Sequence, residues 1–149
     1  MTYAVLKTVH LLSIIVWIGG MVFVHFFLRP AVAALEPPAR LSLMRAVLGR
    51  FFAAVMAASL LSLGSGAWML GSLAPGMRVP AAWLAMAVLG VTMVAIFMHV
   101  RFALYPRLAR AVDAADWPAG GQALAAIRRW VAANLAIGVL IVLVTRLGR

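Results

Sequence analysis

Long runs of apolar residues, separated by short basic or loop-forming segments, divide this chain into four parts. A helix that crosses a bilayer needs about 20 mostly apolar residues. Four stretches meet this requirement, at roughly 5–28, 50–72, 81–104 and 129–146, and none has a charge near its middle. The pattern therefore predicts an all-α fold, an up-and-down four-helix bundle that spans a membrane as one domain over residues 1–149.

The composition indicates that lipid is the solvent. Of the 149 residues, 66% are hydrophobic and 11% are charged, whereas a soluble domain is about 45–50% apolar and about 25% charged. The first run follows Lys7 and precedes Ala31-Val32-Ala33, which looks like a signal-peptide cleavage site. However, the run is longer than the roughly 7–15 residues of a signal sequence. We therefore expect it to remain as a spanning helix.

The distribution of basic residues predicts the orientation, because Lys and Arg accumulate in cytoplasmic connections. Nine of the 13 Lys and Arg residues lie in or beside the first and third connections: Arg29, Arg40, Arg45, Arg50, Arg101, Arg107, Arg110, Arg128 and Arg129. Both connections are therefore expected in the cytoplasm, with both termini periplasmic, in a bacterial inner membrane. This placement accounts for the net charge of +10 without a nucleic-acid partner.

Both cytoplasmic connections are expected to be partly helical. Residues 39–51 place apolar side chains at helical spacing among arginines, which is typical of an amphipathic helix at the headgroup level. Pro37-Pro38 marks its start. The third helix is expected to continue past Tyr105, and its break is predicted at Trp117-Pro118-Ala119-Gly120-Gly121 because Pro and Gly interrupt helices.

Three histidines within the spans are the main candidates for chemistry, because polar groups inside lipid are costly. His10 is predicted near the outer face, whereas His25 and His99 share a level near the cytoplasm. No span contains a carboxylate, and the chain has no cysteine. This argues against a proton-coupled transporter, a hydrolase with paired carboxylates and a thiolate metal site. For each histidine, a hydrogen bond to a neighbouring helix is the alternative interpretation.

A methionine on the third helix is the candidate partner of the outer histidine. Met86 is predicted at the level of His10, and a His/Met pair is known to ligate haem, while Met also suits Cu(I). Methionine at helical spacing is equally explained as core filler. Trp17 lies on the same helix face as His10, close to the middle of the first span.

The remaining polar and small residues admit two interpretations each. Arg128 and Arg129 are candidate partners of haem propionates, and Asn134 either bonds across the bundle or orients a polar ligand group. Gly19-Gly20 and the stretch Ser62 to Gly66 favour close packing of helices, although they would also let a flat macrocycle approach the backbone.

The first helix resembles a known family. The stretch Leu6-Lys7-x-x-His10-Leu11-Leu12, followed by Val16-Trp17-x-Gly19-Gly20, resembles the opening helix of the copper-resistance D (CopD) family. It is also similar to the related HemJ-type membrane proteins, which are linked to protoporphyrinogen oxidation and haem. In the HemJ pattern a histidine occupies the position of His10.

Two later segments extend this resemblance. Trp83 and His99 match the Trp and His of the HemJ third helix, and Arg128-Arg129 before Asn134 match its fourth helix. The chain departs from the pattern at Met86-Ala87, where HemJ-type proteins carry a lysine, and after Asn134, where an acidic residue is missing.

Residues and resemblance together favour a b-type haem-binding redox protein. His10 would be an axial ligand opposite Met86 or water, and His25 with His99 would hold a second site; whether it is an enzyme is left open. One alternative is a CopD-like protein that takes up or handles copper, bound by these three histidines and Met86. Another is a structural subunit without a cofactor. The expected partners are the lipid bilayer, a redox partner or quinone, and a second copy in a homodimer.

Overall fold

Four long helices form the bundle in a computed structural model, which describes residues 1–73 and 76–147. The helices are α1 (Thr2–Val32), α2 (Pro37–Gly71), α3 (Ala81–Asp113) and α4 (Trp117–Leu147). Each contains a stretch long and apolar enough to cross a membrane, so the prediction of an all-α four-helix membrane bundle is confirmed. α1 packs mainly against α2, and α3 packs mainly against α4.

Successive helices run in opposite directions, which gives the bundle two distinct ends. The terminal end contains Met1, the loop between α2 and α3, and Leu147 at the end of α4. The arginine-rich end contains the connections between α1 and α2 and between α3 and α4. The largest fully buried apolar side chains lie in the middle of the bundle and at the arginine-rich end: Met21, Leu41, Leu48, Phe52, Leu108 and Ile127.

Two helices continue through a proline by means of a wider turn. In α1 the N–H of Arg29, just before Pro30, bonds to the carbonyl five residues earlier, and in α3 the N–H of Tyr105, just before Pro106, does the same. A proline has no N–H, and its ring collides with the carbonyl four residues earlier. The π-turn that precedes each proline relieves this collision, so both helices extend beyond the predicted spans.

The amphipathic segment 39–51 is helical, as predicted, and forms the first part of α2. Its apolar side chains enter the core: Leu41 and Leu48 are each 1% exposed. The apolar stripe was recognised correctly. Its partner is protein, because α3 and α4 also extend beyond the predicted spans and pack beside this part of α2.

The break between α3 and α4 comes earlier than predicted. α3 ends at Asp113, and the chain turns at Ala115, which has a positive φ of 53°. The segment Trp117–Gly121 is therefore the start of α4. Asp116 begins this helix because its Oδ1 accepts a hydrogen bond from the N–H of Ala119 at 3.0 Å. A proline in the first turn loses no hydrogen bond.

Large apolar side chains cover the outside of the bundle. Phe23, Phe27, Leu60, Val91 and Phe102 are all more than half exposed. A surface of this kind is stable in lipid and would aggregate in water. The chain is therefore a multi-pass membrane protein.

Candidate functional site

The imidazole of His10 packs against α2 near the terminal end. Its Nδ1 lies 2.9 Å from the carbonyl oxygen of Ser62 and 3.2 Å from Oγ of Ser65. The hydroxyl of Ser65 donates its own proton to the carbonyl of Leu61, and the Ser62 hydroxyl is more distant at 3.5 Å, so the two nearest neighbours of Nδ1 are acceptors. Nδ1 therefore carries the proton and donates it to α2, which leaves the lone pair on Nε2.

This lone pair has no partner in the protein. Nε2 of His10 is buried and makes no hydrogen bond to any described residue. A buried polar atom without a partner costs about 1–3 kcal/mol, so its presence needs an explanation. Histidines that bind metals almost always donate their other ring N–H, often to a backbone carbonyl, which fixes the tautomer. His10 has this arrangement, with Nε2 available to a ligand.

Small residues on α2 make room for the ring. A Cβ at Gly66 would lie 3.3 Å from Cε1 of His10, which is a tight contact. Gly20 on α1 similarly accommodates the ring of Phe51, whereas Gly64 faces open space. The packing interpretation of the small residues is therefore confirmed at Gly20 and Gly66, and Gly66 also positions the histidine.

Two methionines on α3 flank the level of this histidine. The rings of Trp17 and Phe97 are in edge contact, with centroids 6.0 Å apart, and α1 and α3 run in the same direction. Because Trp17 lies level with Phe97, His10, which is seven residues earlier on α1, lies level with a position between Met86 and Met93. Each methionine is within about 6 Å of that level along the bundle axis, at 1.5 Å per residue. Met93 is 4% exposed and Met86 is half-buried, and both lie on the stripe of α3 that faces the interior.

An aromatic cluster fills the centre of the bundle, between His10 and the arginine-rich end. The ring of Phe97 contacts both Trp17 and Phe52 edge-on, each with centroids 6.0 Å apart, and Phe52 contacts Tyr105 at 5.5 Å. Trp17, a predicted site residue, thus faces inward as part of this cluster.

Asn134 provides the second unpartnered polar atom in the described part of the chain. Its side chain is 3% exposed, and its Oδ1 is buried without a hydrogen bond. It lines a small cavity of about 10 Å³ together with Trp17, Phe97 and Trp130, which is close to the space that one water needs. Asn134 therefore faces aromatic rings and none of the three histidines.

His25 and His99 do not share a site. His25 lines a large cavity at the arginine-rich end between α1, α2 and α4, and Arg128 lines the same cavity. His99 is exposed, and its ring rests on Trp130 with centroids 5.1 Å apart. Positions 128 and 130 are about 200° apart around a helix, so α4 separates the two histidines. Arg129 is exposed and does not line the cavity.

Among the residues described, no group of three or more His, Cys, Asp or Glu side chains forms a metal site.

A family model described as copper resistance protein D (CopD) matches residues 45–147, which include most of α2 and all of α3 and α4. The chain belongs to the CopD family. No curated protein and no solved structure matches it. The CopD resemblance predicted from α1 is thus confirmed from the other three helices, and His10 itself lies before the matched residues. The protein is a multi-pass membrane protein related to copper resistance.

Family membership supports the copper alternative rather than haem.

Sequence reasoning missed two features of this CopD-family protein. One is Met93 as a second methionine close to the level of His10, for which its spacing of seven residues from Met86 was an available signal. The other is the large cavity at the arginine-rich end, which forms between helices that extend beyond the predicted spans.

Proposed function

We propose that this CopD-family protein handles copper, and that it binds Cu(I) as cargo at Nε2 of His10. The thioether of Met86 or Met93 is the second ligand, since Cu(I) favours soft sulfur ligands and accepts imidazole. The observation that carries the proposal is the buried, unpartnered lone pair on Nε2, oriented by the hydrogen bond from Nδ1–H to Ser62.

The charge of such a site suits transfer better than storage. Imidazole and thioether are neutral, and all three acidic residues of the chain, Glu36, Asp113 and Asp116, lie at the arginine-rich end. The bound ion therefore keeps its full positive charge in a low-dielectric environment, which is costly. An ion held in this way is released readily to a stronger ligand.

The position of the aromatic cluster suggests the side of entry. Trp17, Phe52 and Phe97 lie between His10 and the arginine-rich end. Copper therefore reaches His10 from the terminal end, which the distribution of arginines predicts to be periplasmic. Passage to the opposite side requires these rings to move.

The direct test is Cu(I) binding to the full chain in detergent, measured anaerobically by competition with a chromophoric Cu(I) chelator. We expect one ion per chain and at least a tenfold lower affinity in His10→Ala. His10→Met should retain most of the affinity because it restores a soft ligand. His99→Ala is the matched control, since it removes an exposed histidine from the same protein.

Three outcomes would overturn the proposal. His10→Ala could bind copper as tightly as the wild type while eluting as the same monodisperse species. His99→Ala could lose as much affinity as His10→Ala. A reduced-minus-oxidised absorption spectrum could show a b-type haem that disappears in His10→Ala, which would assign the histidine to haem instead.

A further inference from the structure

A cavity of about 650 Å³ lies at the arginine-rich end of the bundle, walled by α1, α2 and α4. Its inner surface is apolar and well buried, because Val32, Leu41, Leu48 and Ile127 are each at most 6% exposed. A space of this volume is comparable to the pockets that hold small organic ligands. It is separate from the proposed copper site, which lies near the opposite end.

The rim of the cavity is basic. Arg29, Arg40 and Arg128 all line it, and none of its lining residues is acidic. The ion pair found in the described part of the chain joins Arg45 and Asp113, both outside the cavity. Three guanidinium groups therefore surround an apolar space without a carboxylate to balance them.

Two glycines at the start of α4 shape this region: one allows a close approach to α2, and the other leaves the space beside the helix open. A Cβ at Gly120 would lie 3.0 Å from Cδ1 of Leu41, so α4 approaches α2 closely at this position. A Cβ at Gly121 would meet no atom within 4 Å, and Gly121 lines the cavity. The outer wall includes Phe26, which is 60% exposed, and the exposed Pro30, so this wall faces the outside of the bundle.

We propose that this cavity binds one anionic phospholipid, with its phosphate between the three arginines and an acyl chain along the apolar wall. Arg29 and Arg128 lie where the predicted spans 5–28 and 129–146 end, which is the headgroup level of a bilayer, and Arg40 lines the same cavity. Basic pockets between helices on this side of a membrane suit anionic headgroups. The combination of charge and apolar volume favours a phospholipid over a free phosphate ion, which would leave the apolar wall uncovered.

The first test removes charge from the rim. The full chain, purified in mild detergent, is titrated with dioleoyl phosphatidylglycerol or dioleoyl phosphatidylcholine, and bound lipid is counted by native mass spectrometry. We expect one retained phosphatidylglycerol per chain and weaker retention of phosphatidylcholine. The double variant Arg40→Gln, Arg128→Gln should bind phosphatidylglycerol about 30-fold more weakly, from about 1 kcal/mol per arginine. Arg107→Gln, an exposed arginine at the same end outside the cavity, should bind like the wild type.

The second test fills the cavity without changing its charge. Gly121→Leu adds a side chain into open space, and leucine favours a helix more than glycine does, so the fold should be retained. We expect this variant to lose the tightly held phosphatidylglycerol. Gly64→Leu is its control, because a Cβ at Gly64 also meets nothing within 4 Å and lies far from the cavity.

Several results would overturn the proposal. The wild type could retain both lipids equally, the double arginine variant could match Arg107→Gln, or Gly121→Leu could retain phosphatidylglycerol as the wild type does. Haem or inorganic phosphate could also bind in place of lipid and be lost in Gly121→Leu, which would assign the cavity to that ligand. None of these results depends on copper binding at His10.

Discussion

Replacing Asn134 by leucine should stabilise the bundle, although it removes the only asparagine of the chain. The carbonyl oxygen of its side chain is buried among aromatic rings without a hydrogen bond. An acceptor in this situation costs about 1–3 kcal/mol, and leucine has a similar size and no polar group. We therefore expect Asn134→Leu to raise the free energy of unfolding by about 1–3 kcal/mol.

The measurement is reversible unfolding of the full chain in mixed micelles with an increasing fraction of dodecyl sulfate, followed by far-ultraviolet circular dichroism. Gln122→Leu is the matched control, because it removes an exposed amide from the same helix. Its free energy of unfolding should stay within about 0.5 kcal/mol of the wild type.

A loss of stability in Asn134→Leu, with Gln122→Leu unchanged, would refute this reasoning. It would mean that the Asn134 amide makes a hydrogen bond in the membrane. A water in the adjacent cavity or a polar group of a ligand would then be the partner.

Two further predictions use the same unfolding measurement with paired variants. Gly20→Leu should destabilise the bundle by about 1–3 kcal/mol, because the new side chain would collide with Phe51. Gly19→Leu places its side chain in open space and should leave the free energy of unfolding unchanged. Equal effects of the two variants would contradict the packing of α1 on α2. Leu108→Ala should cost about 2–5 kcal/mol because Leu108 is fully buried. Leu60→Ala, on the exposed surface, should change stability by less than about 0.5 kcal/mol, and similar losses in both would contradict the assigned core.

The fold was largely predictable because lipid imposes a simple requirement. A long apolar helix satisfies all its backbone hydrogen bonds internally, as hydrocarbon requires, so the four apolar stretches led directly to four helices. The helix ends were less predictable, because Pro30 and Trp117–Gly121 are breaking signals in isolation. Whether a helix continues or ends at these positions depends on a π-turn in α1 and on the N-cap provided by Asp116. Neither feature can be predicted from the local sequence pattern.

The sequence predicted which residues belong to the candidate site better than it predicted how they are arranged. The cost of polar groups in lipid identified His10 and Asn134, and both proved to carry an unpartnered atom. The predicted common level of His25 and His99 is not supported, because the contact between Trp17 and Phe97 places His25 level with Tyr105, about 9 Å further along the bundle than His99. Depth along a helix does not specify which side of a neighbouring helix a residue faces, so the separation of these two histidines by α4 required the structure.

The length of the helices has a consequence for assembly. α2 has 35 residues and is therefore about 52 Å long, while the hydrocarbon layer is about 30 Å thick. The span predicted at 50–72 leaves the excess at the arginine-rich end, where we expect headgroups and water and where the hydrophobic effect would stabilise the packing of Leu41 and Leu108. Within the hydrocarbon this force is absent, and helices associate through weaker contacts. The part of the molecule outside the bilayer can therefore hold the four helices together while the half that contains His10 changes its packing.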